Sequence, residues 1–268
     1  MTAPRTARPS ADLTQPSVFE RILVGVDGGK LSLDACRQAS LLASPETAIE
    51  AATVTLFPPV TAAALGAHEL AADLEETAGS ALLASGQILG PHAELRRLEG
   101  ITVEVLLEEV KRTKATLLAI GAPEHPRVEE IVFGGVGGEL LHQARCSVLV
   151  ARPAPDERRF PRSIVVGLDG SKQAERAYAV ARAIAARRHS TVQSVVALGG
   201  KRVALGEIAK RHRGVETSPA APVPALVAAS DCADLLVVGS RGLHGPRALG
   251  SVSERVAHSA PCSVLVVR

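Results

Sequence analysis

The sequence predicts an α/β fold built from two similar domains, each a five-stranded, mostly parallel sheet with helices on both faces. Three observations predict it. Short apolar runs enter glycine with no polar break, as in Leu117–Gly121 (LLAIG) and Leu235–Gly239 (LLVVG), the pattern of strands buried on both faces. Those runs alternate with segments of helical period, which calls for βα units and a parallel sheet. The whole series also occurs twice. Ile22–Gly28 returns as Ile164–Gly170 at an offset of 142, LLAIG returns as LLVVG at 118, and ARCSVLVAR (Ala144–Arg152) returns as APCSVLVVR (Ala260–Arg268) at 116. The order of the blocks is kept, so one unit was duplicated. The shrinking offset assigns a loss of about 24 residues to the middle of the second copy and two more to its glycine-rich loop.

Taken in order, residues 1–19 read as a disordered tail without the apolar centre of a signal peptide. The first domain spans 20–153. It opens with a strand at Ile22–Val26, and the Asp27-Gly28 turn leads to a helix at Leu31–Leu42. A strand at about Ala51–Phe57 stops at Pro58-Pro59, and Ala62–Leu89 is helical in composition. A short strand at Glu94–Leu98, a helix at Val103–Lys114 and a strand at Leu117–Gly121 follow. Val128–Gln143 holds a loop and a helix, and Cys146–Ala151 is the fifth strand. Residues 154–161 form a linker rich in proline and charge, and 162–268 the second domain. There the Ala-rich stripe Ala174–Ala186 is core-facing helix, and VSERVAHSA opens a helix with Ser251 near its N-cap.

Composition narrows the function. With 46% hydrophobic and 22% charged residues, the 268-residue chain can bury a sizeable core. Aromatics are 2% with no Trp, so platforms for stacking nucleic-acid bases are missing. The clusters Arg187-Arg188-His189 and Lys210–Arg213 are read as solvated faces rather than a nucleic-acid surface. No apolar run approaches the roughly 18–20 residues of a membrane span. Cys36, Cys146, Cys232 and Cys262 show no C-x-x-C spacing, so they are read as reduced, buried thiols of a cytoplasmic protein. Charge is unevenly shared. Residues 1–153 hold 13 Lys/Arg against 19 Asp/Glu, and 154–268 hold 17 against 9. The second half is the more hospitable to an anion.

The candidate site lies in Leu235–Ser251, where an apolar strand runs into Gly239, Gly242, Gly245 and Gly250 and then a hydroxyl at a helix start. Strand, glycine loop and helix N-terminus present several N–H groups and a positive dipole end to a phosphate. These residues, together with the V-x-D-G-[GS] opening of each copy and the block VVGSRG…LGSVSERVAHSAPCSVLVV, resemble the universal stress protein family in its tandem two-domain form. The resemblance covers nearly everything from Glu20 onward. It implies a fold like that of the adenine nucleotide alpha hydrolases. It also implies ATP or a related adenine nucleotide, with or without Mg, held by a G-x2-G-x9-G-[ST] motif, with the aspartate after strand one at the adenosine end. Carried onto the second copy, the motif falls on Gly239, Gly242, Gly250 and Ser251, followed by Val252, with seven residues rather than nine between Gly242 and Gly250. Asp169 takes the ribose or base, and Val196 of the second strand the adenine. The first copy keeps the longer spacing, but Glu124 replaces the second glycine and Gly135 the hydroxyl. Its loop carries Glu124, Glu129 and Glu130, which repel phosphate, and Pro123, which lacks an N–H. Nucleotide is therefore expected in the second copy, whose loop carries Arg241, His244 and Arg247.

Plainer readings stand beside these. Asp27 and Asp169 can serve only to stabilise a turn and cap a helix. Gly134–Gly138 resembles a phosphate loop but lacks its lysine, and is read as the flexible start of a helix. His142 and His258, 116 apart, are read as helix-dipole partners rather than bases, because no nucleophile recurs beside them. The expected function is a non-enzymatic stress-response regulator or scaffold. A nucleotide-free interaction module, and a weak ATP hydrolase or nucleotidyl transferase, are its rivals. The resemblance also suggests that Ser147–Ala151 and Ser263–Val267 pair edge to edge within one chain, with a protein partner or a homodimer beyond that.

Overall fold

Ten strands form a single sheet in the computed structural model, which describes residues 17–56, 68–123, 135–199, 205–240 and 252–268. The first copy comprises β1 (Arg21–Gly25), α1 (Lys30–Leu42), β2 (Ala48–Thr55), α2 (His68–Leu89), β3 (Glu94–Glu99), α3 (Thr102–Thr113), β4 (Leu117–Gly121), α4 (Val136–Gln143) and β5 (Ser147–Ala151). The second comprises β6 (Ser163–Gly167), α5 (Lys172–Arg188), β7 (Thr191–Ala197), α6 (Leu205–Arg211), β8 (Val215–Ser218), α7 (Pro222–Ala229), β9 (Leu235–Gly239), α8 (Val252–Ser259) and β10 (Ser263–Val267).

The strand order is β3-β2-β1-β4-β5-β10-β9-β6-β7-β8. All pairs within a copy are parallel, and the two copies join through the antiparallel pair β5–β10, with Leu149 opposite Leu265. The expected edge-to-edge pairing of the two final strands is therefore present. SVLVA and SVLVV are buried at every position, because helices cover both faces and the partner strand covers the edge. On one face α1 and α5 pack Ala35, Ala39 and Leu42, and Ala174, Ala177, Ala181 and Ile184, against the sheet. On the other, α3, α4, α7 and α8 contribute Leu106, Val110, Leu140, Leu226 and Val256. The deletion in the second copy falls mainly on the helix between its second and third strands, 7 residues in α6 against 22 in α2.

Several expectations are corrected. The second strand begins three residues earlier than its apolar run suggested, because Ala48 pairs with Arg21 and the polar Glu50 lies inside the strand. The basic clusters are not simply solvated. Arg187 donates to Ala43 O (2.9 Å) and Arg188 to Phe160 O (3.0 Å), while His212 is buried against Tyr178 and lies 3.0 Å from Glu175 Oε2. Three cysteines are buried as expected, but Cys232 is exposed. Burial pushes the thiol of Cys36 up to about 12 and those of Cys146 and Cys262 to about 11, which disfavours their thiolate forms. Phe160, inside the charged linker, is among the largest fully buried side chains and anchors that segment in the core.

The first copy carries a buried ion cluster between β2 and α3. Arg112 Nη2 donates to Glu50 Oε2 (2.7 Å) and Glu109 Oε1 (2.6 Å), with both carboxyls buried between β2 and α3. Burial, and then the neighbouring Glu109, raise Glu50 from 4.5 to about 7, whereas Arg112 lowers Glu109. A carboxyl whose native pKa is raised stabilises the fold below its unfolded pKa and loses that contribution as pH climbs through the native one. Stability should therefore fall between pH 4.5 and about 7. Glu50→Gln is expected to match the parent at pH 5 and exceed it by about 1 kcal/mol at pH 8 in urea unfolding. A parallel offset at both pH values would refute the assignment.

Candidate functional site

In each copy the third, second, first, fourth and fifth strands lie in that spatial order, so the topological switch falls between β1 and β4 and between β6 and β9. Ligands of open α/β sheets bind outside the carboxyl ends of the strands at this point. Asp169 follows β6 and Gly239 ends β9, so the structure brings these two candidates to neighbouring strand ends.

The Asp-Gly turn is built the same way twice. Gly170 has φ +79° and Gly28 φ +83°, a left-handed geometry that favours glycine. Asp169 Oδ1 accepts from Ser171 N–H (3.0 Å), and Asp27 Oδ1 from Gly29 N–H (2.8 Å). Ser171 Oγ then accepts from Ala174 N–H (3.2 Å) and caps α5. In the first copy Ser32 Oγ instead donates to Gly29 O (2.9 Å). Both aspartates are exposed beyond the carboxyl ends of β1 and β6. The turn-stabilising role is thus present in both copies.

Gly239 is held by packing. A Cβ there would lie 2.5 Å from the carbonyl carbon and oxygen of Gln173, in the first turn of α5, and Gly121 meets Leu31 and Ser32 in the same way. Strand end and helix start touch through backbone, which places the α5 N-terminus beside the end of β9. Val252, exposed, is the first residue of α8, and Ser240 N–H donates to Val267 O (2.8 Å), keeping the chain after β9 in register with β10. Val196 is fully buried in the cluster that contains Ala174 and Ile208; the apolar side chain exposed after β7 is Leu198. Gly242, Gly250 and Ser251 lie outside the described residues, as do Glu124, Glu129, Glu130, Arg241, His244 and Arg247. Gly135 caps α4 with φ +106°, in keeping with the start of a helix.

His142 and His258 do end the last helices. His142 Nε2 lies 2.5 Å from Glu254 Oε1, a contact between the two copies. Burial lowers the pKa of His258. Among the described residues no cluster of His, Cys, Asp or Glu could hold a metal ion, and no helix is long and apolar enough to cross a membrane.

An α/β sheet built twice, with an Asp-Gly turn and a strand-ending glycine at each switch point, defines a class that comparison with known proteins identifies. The universal stress protein family model matches residues 19–152 and 193–268, and the chain belongs to that family. It is the tandem form, and one relative matches along both copies. A universal stress protein of Mycolicibacterium smegmatis is 30% identical over an alignment spanning 96% of this chain and 99% of the relative. A universal stress protein of Methanocaldococcus jannaschii is 26% identical over 53% of this chain and 86% of its own length. Among solved structures, a universal stress protein from Archaeoglobus fulgidus superposes with a TM-score of 0.71 at 19% identity, covering 94% of this chain and 97% of that one. The shared fold is that of this family.

Proposed function

We propose that this universal stress protein binds ATP or a related adenine nucleotide, with or without Mg, in its second copy. There it acts as a non-enzymatic regulator or scaffold of the cytoplasmic stress response. The observation that supports the reading is the placement of Asp169, Gly239 and the N-terminus of α5 at the switch point of the more basic half. Asp169 would receive a ribose hydroxyl. Gly242, Gly250, Ser251 and Val252 would offer N–H and hydroxyl donors to the phosphates, and the arginines of the 241–251 segment would neutralise charge. With Val196 buried, the adenine of this reading meets Leu198 at the end of β7 or displaces Ile208. Nucleotide held against residues 241–251 would alter the surface a protein partner or a second chain meets. The first copy, with three glutamates in the matching loop, would serve as support.

Protein purified without added ligand, then denatured, should release one adenine nucleotide per chain, and Gly242→Glu should abolish it by placing a carboxylate among the phosphates. No release, and no heat on titration with Mg-ATP, would leave an interaction module. Two per chain would restore the first copy as a site. Turnover of Mg-ATP above background that vanishes in Asp169→Ala would make the protein an enzyme.

A further inference from the structure

The helix that would receive phosphate in the second copy is held from the first. Arg152, at the end of β5, sends Nη2 to Ala257 O (2.7 Å) and His258 O (3.1 Å), and Nη1 to Cys262 O (3.2 Å). The first two carbonyls belong to the last turn of α8, which lacks intrahelical partners and where a cation complements the dipole, and Cys262 O lies just beyond it. Arg152 is itself fixed: its N–H donates to Ser263 Oγ (2.9 Å), and its carbonyl accepts from Gln38 Nε2 (2.6 Å). In its first turn α8 is gripped again, where buried Glu254 meets His142 of α4. A helix of eight residues is only about 12 Å long, so grips at both ends set its direction.

The duplication supplies an internal control. Arg268 occupies the position of Arg152 and donates to Leu141 O in α4, while its N–H reaches Ser147 Oγ (3.4 Å). The position matching Glu254, however, is Gly138, whose nearest neighbour is His258 Nε2, 3.8 Å from where a Cβ would stand. The carboxylate–histidine contact thus exists for α8 and is missing for α4.

We propose that Arg152 and His142 of the first copy are positioning residues for the nucleotide site of the second, holding α8 so that its leading N–H groups keep a fixed aim. The inference rests on the nucleotide reading above and gives the first copy a role in a site it does not line.

The test uses the full chain and three variants, Arg152→Ala, Arg152→Lys and Arg268→Ala, with ATP titration by calorimetry and amide hydrogen exchange over residues 252–259. Arg152→Ala should weaken ATP binding about tenfold and speed exchange in α8, as expected for lost hydrogen bonds from a charged donor. Arg152→Lys should recover part of both. Arg268→Ala should loosen α4 and leave ATP affinity within about twofold. Equal losses in the two alanine variants would reduce Arg152 to a general structural residue and overturn the proposal, as would no loss in either. If the parent protein takes up no ATP, the nucleotide reading falls, and hydrogen exchange alone decides whether Arg152 holds α8; unchanged exchange would then sink the brace as well. Where Arg152→Ala does not fold, His142→Ala removes the other grip and must show the same weakening or faster exchange.

Discussion

Gly239→Ala is expected to destabilise the protein by about 3 kcal/mol, lowering its melting temperature by roughly 6–10 °C. The added methyl would overlap the Gln173 carbonyl carbon and oxygen at 2.5 Å and the Ala174 nitrogen at 2.9 Å. These are backbone atoms, so relief requires α5 to lift from β9 rather than a side chain to turn. Gly121→Ala meets the same obstacle at Leu31 and Ser32 and should cost a similar amount. Gly79→Ala is the control of opposite sign. It lies in α2 with nothing within 4 Å of its new methyl, and replacing a helical glycine there should add about 0.5–1 kcal/mol. Thermal unfolding of the three variants checks the ranking, and a neutral Gly239→Ala would mean that β9 and α5 are not in contact. The result bears on function too, because it separates the packing reason for this glycine from any phosphate reason.

Asp234→Ala should be nearly as damaging, by about 3 kcal/mol in urea unfolding. Its buried carboxylate accepts from the Arg162 N–H (2.6 Å), from the Ser163 N–H (3.3 Å) and from Arg162 Nε (3.4 Å), tying the start of β6 to the start of β9. The first copy does this work with a neutral group: Thr116 Oγ1 accepts from Arg21 N–H (3.2 Å) and donates to Arg21 O (3.0 Å). Thr116→Ala should therefore cost only about 1 kcal/mol, and Asp234→Asn should fall between the two. Equal losses at positions 116 and 234 would show that the charge contributes nothing.

Much of the fold was legible because burial on both faces leaves a simple trace. LLAIG and LLVVG coincide with β4 and β9 end for end, and the repeated SVLV blocks disclosed the two strands that meet at the centre. The second copy was harder to read between Thr191 and Asp234. VETS is a polar four-residue edge strand, and α6 and α7 are too short for periodicity to separate from loop. The basic residues misled for another reason. The partners of His212 and Arg187, Glu175 and Ala43, lie 37 and 144 positions away, so nothing local marks them as paired. Phe160 was hidden among charges, although it is one of only four phenylalanines in the chain. At the site, the Asp-Gly turn and the glycine after each fourth strand were readable as motifs. Arg152 was visible only as the last letter of a repeated block, and its grip on α8 emerged with the antiparallel join of β5 and β10.

That join has a consequence for how the two halves age in evolution. Because a covalent tether holds them at high effective concentration, dilution cannot part them, and neither half must remain able to recognise a copy of itself. Each half is thereby released to diverge from the other without the pair coming apart.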